Sequence, residues 1–87
     1  MKIKDGFILR NVADNNIVVA VGNATLDFSG LITLNSSGVF LWSLMQNDVT
    51  IEEMTIKMCE TYEIDFETAK TDITDFVSTL KGAGIIE

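Results

Sequence analysis

"GLITLNSSGVFLW", residues 30–42, changes character halfway along. Leu31-Ile32-Thr33-Leu34 reads as a short strand, with Ile32 and Leu34 on one face and Leu31 and Thr33 on the other. Asn35 is a strong helix cap, and Val39 to Trp42 read as the apolar body of a helix. A strand therefore runs into a helix with no loop between them. Three uses of such a junction compete: a phosphate-binding turn, a piece of core, or a sheet edge open to a partner. "NSSG" lacks the lysine and repeated glycines of a phosphate loop, and capping alone explains Asn35 and Ser36.

N-terminal to this junction, residues 6–12 ("GFILRNV") and 17–21 ("IVVAV") are rich in strand-forming residues. The intervening "ADNN" has turn chemistry, since Asp14, Asn15 and Asn16 tolerate left-handed backbone; the three pieces predict a β-hairpin. Residues 22–30 read as a loop that returns Leu26 and Phe28 to the core.

C-terminal to the junction the start signals repeat. Asn35, Thr50 and Asp65 are N-caps, each preceded by an apolar residue (Leu34, Val49, Ile64) and followed by another at the fourth helical position (Val39, Met54, Ala69). Thr50 and Glu53 complete a capping box. Helices are predicted over 36–46, 51–62 and 66–82. The first is apolar on nearly all sides and should be the most enclosed. Gly38 inside it costs about 1 kcal/mol relative to alanine, which predicts close approach to another element. The second carries a stripe of Ile51, Met54, Met58 and Tyr62, and the third a stripe of Phe66, Ala69, Ile73, Phe76, Val77 and Leu80. Glycines in "LKGAGIIE" end the last helix, and Ile85 and Ile86 should fold back onto the core. The fold class is α+β, a three-stranded antiparallel sheet followed by three helices, in one domain spanning 1–87.

Composition narrows the chemistry. The chain has 87 residues, 47% of them apolar and 22% charged, as expected of a globular domain. The longest apolar run, Ile17 to Val21, is far too short to span a membrane, and the N-terminus lacks a signal peptide's apolar stretch. A lone cysteine, Cys59, fits a reducing cytoplasm and reads as a small apolar filler. Net charge is −7, with the six basic residues scattered, which argues against a nucleic-acid ligand. The predicted α2–loop–α3 unit has a helix-turn-helix shape, but its third helix sets Lys70 and Lys81 against Glu67, Asp72 and Asp75. With no histidine, neither a Ser–His nor a Cys–His nucleophile can be built. Glu52 and Glu53 suit the first turn of a helix, and Asp72 and Asp75 read as a solvated helix face. No catalytic residue, metal site or cofactor is expected.

What remains is binding by shape and backbone. Residues 31–34 carry neither the charge nor the proline that usually guards an edge strand. A peptide could add there as a further strand; equally, the chain's own termini or a second copy could cover it.

The order of these elements, with "LITLNSSGVFLWSLM" (31–45) followed by "VTIEEM", "CETYEID" and "TDITDFVSTLKGAGIIE", resembles the PqqD-like family, the precursor-peptide recognition elements. Its pattern is Leu-Asn, two variable residues, Gly, two variable residues, an aliphatic residue and Trp after a short strand. The resemblance implies a winged-helix-like fold that does not bind DNA. It implies a peptide chaperone that holds the leader of a ribosomally made precursor and presents it to a modifying enzyme, often a radical SAM protein. It implies leader docking on Leu31, Ile32, Thr33 and Leu34 and against the third helix, where Ile73, Thr74, Val77, Ser78 and Lys81 are the expected contacts. The alternatives are a structural domain that dimerises through the same edge and, more remotely, a winged-helix DNA binder.

Overall fold

Ala13 and Asp14 turn the first hairpin with positive φ at both positions, 50° and 66°. The turn is therefore two residues long and of the mirror-image kind whose twist matches paired strands. Asn15 and Asn16, expected in the turn, belong to the second strand instead. In the computed structural model, which describes residues 1–22 and 32–86, β1 (Phe7–Val12) pairs antiparallel with β2 (Asn15–Ala20), and β2 pairs antiparallel with β3 (Ile32–Leu34). The sheet order is β1-β2-β3. Leu31 and the loop expected to carry Leu26 and Phe28 lie outside the described residues.

Three helices follow: α1 (Ser36–Leu44), α2 (Ile51–Thr61) and α3 (Phe66–Gly82). Each cap acts as its residue type predicts. Asn35 accepts from the Gly38 N–H at 2.9 Å, Thr50 and Glu53 form the reciprocal box at 3.1 Å each way, and Asp65 accepts from the Thr68 N–H at 3.0 Å. Helix α1 ends two residues short of its predicted bound, at Leu44, and is capped by Met45, whose N–H bonds back to the Leu41 and Trp42 carbonyls.

One face of the sheet packs on the helices. Val18 and Leu34 from the sheet, Leu41 and Trp42 from α1, Met54 and Met58 from α2, and Ala69, Ile73, Val77 and Leu80 from α3 share a buried cluster. Of the other members of the predicted stripes, Ile51 and Phe76 are partly buried against it and two are exposed. Phe66 is 44% exposed, and Tyr62, at the end of α2, is 38% exposed and sets its ring edge-on to Phe40 at 5.5 Å. Cys59 is a partly buried filler beside the core.

Helix α3 closes with a Schellman turn. Gly84 takes φ +75°, its N–H reaches the Lys81 carbonyl at 3.1 Å, and the Ile85 N–H reaches the Leu80 carbonyl at 3.0 Å. That turn drives Ile85 and Ile86 into the core, where Ile85 has no exposed surface. Ile86 then bridges antiparallel to Ile3, and Lys4 donates its N–H to the Ile85 carbonyl at 2.8 Å.

Candidate functional site

The hydrogen-bonding phase of the sheet decides what β3 offers a ligand. A two-residue turn makes its flanking pair, Val12 and Asn15, exchange backbone bonds, and in an antiparallel ladder such pairs alternate. Arg10–Ile17 and Ile8–Val19 are then bonded pairs too, and the Val21 N–H on the Gly6 carbonyl at 2.7 Å keeps the same phase. Asn16 and Val18 consequently aim their backbone groups at β3, where they meet Leu34 and Ile32. Thr33, opposite Ile17, turns its N–H and C=O away from the sheet. Among the described residues no further strand pairs with that side.

Side chains alternate oppositely. Leu34 is buried and Ile32 half-buried on the helix side, while the Thr33 side chain is exposed on the outer face. Among the described residues the open edge thus presents the backbone of one polar residue, backed by apolar neighbours that are already packed.

Beside this edge runs a groove. Its first part is lined by Asn15, Thr33, Leu34, Asn35, Gly38 and Phe76. Its second part shares Asn35, Gly38 and Phe76 and continues to Ser37, Leu41, Met58, Asp72 and Asp75. The groove exists because two elements come close. A Cβ at Gly38 would sit 3.2 Å from the Leu34 Cβ and 3.3 Å from the Asn35 Oδ1, tighter than ordinary contact. The close approach expected for Gly38 is therefore that of α1 to the strand that feeds it. Its floor is apolar, with Leu41 and Met58 each 3% exposed. Its wall is one side of α3, where Asp72, Asp75 and Phe76 follow the three- and four-residue spacing of neighbours on a helix.

This is not the side of α3 expected from the sequence. Ile73 has no accessible surface and Val77 only 8%, so both face the core. Thr74, Ser78 and Lys81 are exposed, but at 100° per residue they lie well around the helix from Asp72 and Phe76. Thr74 lines a separate shallow hollow with Glu67, Lys70, Thr71 and Asp75, and its hydroxyl donates to the Lys70 carbonyl at 2.7 Å. Sequence reasoning missed the groove side because Phe76 sits at the margin of the apolar stripe and Asp72 and Asp75 look like any solvated carboxylates. The usable signal was their placement one step around the helix from the core residues Ile73, Val77 and Leu80.

Among the described residues no three metal-ligating side chains converge. The Asp65 carboxyl is held below the usual carboxylate range, first by the Thr68 N–H and then by the Thr68 hydroxyl.

A family model described as coenzyme PQQ synthesis protein D (PqqD) matches residues 18–86. The chain belongs to the PqqD family. The match takes in the second half of β2, β3, all three helices and every groove-lining residue but Asn15, and leaves out residues 1–17, which hold β1, the turn and the start of β2. A solved structure, TbiB1 in complex with the TbiA(beta) leader peptide, shares this chain's fold with a TM-score of 0.78. It is 24% identical, over 100% of this chain and 95% of that one. The winged-helix-like arrangement of three strands and three helices is thus common to both. No curated protein matches the sequence. No helix among the described residues is long and apolar enough to cross a membrane.

Proposed function

We propose that this chain is a precursor-peptide recognition module. It captures the leader of a ribosomally made peptide as a fourth strand on β3 and presents it to a modifying enzyme, a radical SAM protein or another maturase, in the cytoplasm. The role is binding rather than catalysis, and residues 1–87 act as one module. The observation that carries this reading is the outward backbone of Thr33 beside an apolar groove, in a member of the PqqD family. TbiB1, of the same fold, was solved with a leader peptide bound.

Magnitudes say which part of the site must do most. The two outward groups of Thr33 add about 0.5–1.5 kcal/mol each. Association costs at least about 4 kcal/mol in lost freedom. The strand bonds fix register and direction, and side chains entering the groove over Leu34, Leu41 and Phe76 must supply most of the affinity.

The test is a titration of isotope-labelled protein with leader peptides encoded beside its gene, read at the backbone amides of 32–34 and of α3. Thr33→Pro removes an outward N–H without removing a bond to β2, and should abolish strand capture while leaving the fold cooperative. Thr33→Ala should bind nearly as well as wild type. Equal binding by the two variants would refute strand addition. Sedimentation of the free protein separates out the other occupant, a second copy paired through the same edge, which requires mass to rise with concentration.

A further inference from the structure

Among the described residues the groove is charged on one side only. Asp72 and Asp75 stand exposed on its α3 wall, and none of its lining residues is Lys or Arg. Of the lysines of α3, Lys81 lies around the helix from that wall, and Lys70 shares only the neighbouring hollow with Asp75, beside Glu67. Nothing remote compensates, because the chain carries −7 overall. The opposing pole, the N-terminus of α1, is already occupied by its own cap: the Asn35 Oδ1 takes the Gly38 N–H at 2.9 Å and the Ser37 hydroxyl at 3.0 Å. A ligand entering this cleft therefore meets an apolar floor, a helix end capped by Asn35 and two carboxylates.

Resting on the strand-capture reading above, we infer that the site selects a basic peptide segment: an apolar side chain over Phe76 and Leu34, and a lysine or arginine facing Asp72 and Asp75. Parity adds a constraint. Only alternate residues of an added strand point toward the helix. The apolar and the basic residue must therefore be separated by an even number of positions, two or four apart. An acidic leader is repelled by the same wall, so charge sets specificity while the backbone sets register.

Selection of a random peptide library on the immobilised full chain tests this, followed by titration of a selected peptide and its Arg→Gln and Arg→Glu forms. The titrations are run against wild type, Thr33→Pro and the double variant D72N/D75N. Both aspartates are exposed, so the double variant should melt like wild type. Selected peptides should carry Lys or Arg in phase with an apolar residue. Loss of each positive charge should weaken binding about two- to five-fold, and less at high salt. In D72N/D75N the preference should vanish. Selected peptides without basic residues, or a preference that survives D72N/D75N, would overturn charge selection. Their sensitivity to Thr33→Pro would show strand capture still standing. Peptides that bind Thr33→Pro as well as wild type, or an empty selection, would overturn strand capture and this inference together.

Discussion

Single residues set the phase on which the site depends. Ala13 holds φ at 50°, a region that costs a residue with a Cβ about 1–2 kcal/mol. Its neighbour Asp14, at 66°, is better suited to it. The Ala13→Asn/Asp14→Gly double variant should therefore raise stability by about 1 kcal/mol, measured as a higher denaturant midpoint at unchanged slope. A lower midpoint would mean that the turn is not of the mirror-image type, and the outward assignment of Thr33 would lose its basis. Gly38 is the other decisive residue. Its helical penalty pointed from the sequence to a close neighbour, but only the fold names Leu34. Ile73 and Val77, which the sequence places both in the α3 stripe and among the expected contacts, lie in the core and show the limit of pattern reading. A stripe tells which residues are apolar, while the angular position of the sheet decides which of their neighbours borders a groove.

At the level of elements, the local signals were nearly complete. The caps at Asn35, Thr50 and Asp65 started helices at the expected residues, and the glycines ended α3 where expected. These signals are legible because each is an interaction within four residues along the chain. The Asp65 cap has a consequence in acid. Its carboxyl titrates lower in the folded chain than in the unfolded one, because the Thr68 N–H and hydroxyl favour the charged form. Its contribution is then fully present above the unfolded value, near 4, and is lost as pH falls through the folded value. The stability gap between wild type and Asp65→Ala should be constant from neutral pH to about 5 and narrow below about 4, in denaturant melts at a series of pH values. A gap that widens in acid would contradict the sign. Strand β3 is the element whose bounds mattered most. Its described part is three residues, and with so short a ladder the groove must supplement the edge.

Across the whole molecule, the ends of the described chain meet. Ile3 bridges to Ile86, and Ile85 lies fully buried against residues far away in sequence. Truncating such a side chain leaves a cavity, so Ile85→Ala should cost about 2–5 kcal/mol. For a domain of this size that is a large part of the total stability, and the thermal midpoint should fall by at least about 10 °C. A loss below about 1 kcal/mol would show that the C-terminal return is dispensable to the core.

The sequence by itself determined the α+β class, the order of three strands and three helices, the helix starts, and the unguarded strand before Asn35. All of these follow from period, propensity and caps, which act over a few residues. Family membership was legible for the same reason, in the ordered run from residue 31 onward. Tertiary structure decided the rest. It put Thr33 at the outward phase of β3, placed Leu34 under Gly38, and turned Asp72, Asp75 and Phe76 toward the groove with Ile73 and Val77 toward the core. The phase of Thr33 follows from the two-residue turn together with the pairing of β2 with β3, and the rotation of α3 from its packing against residues far along the chain. Strand pairing and helix packing join residues that no local pattern links.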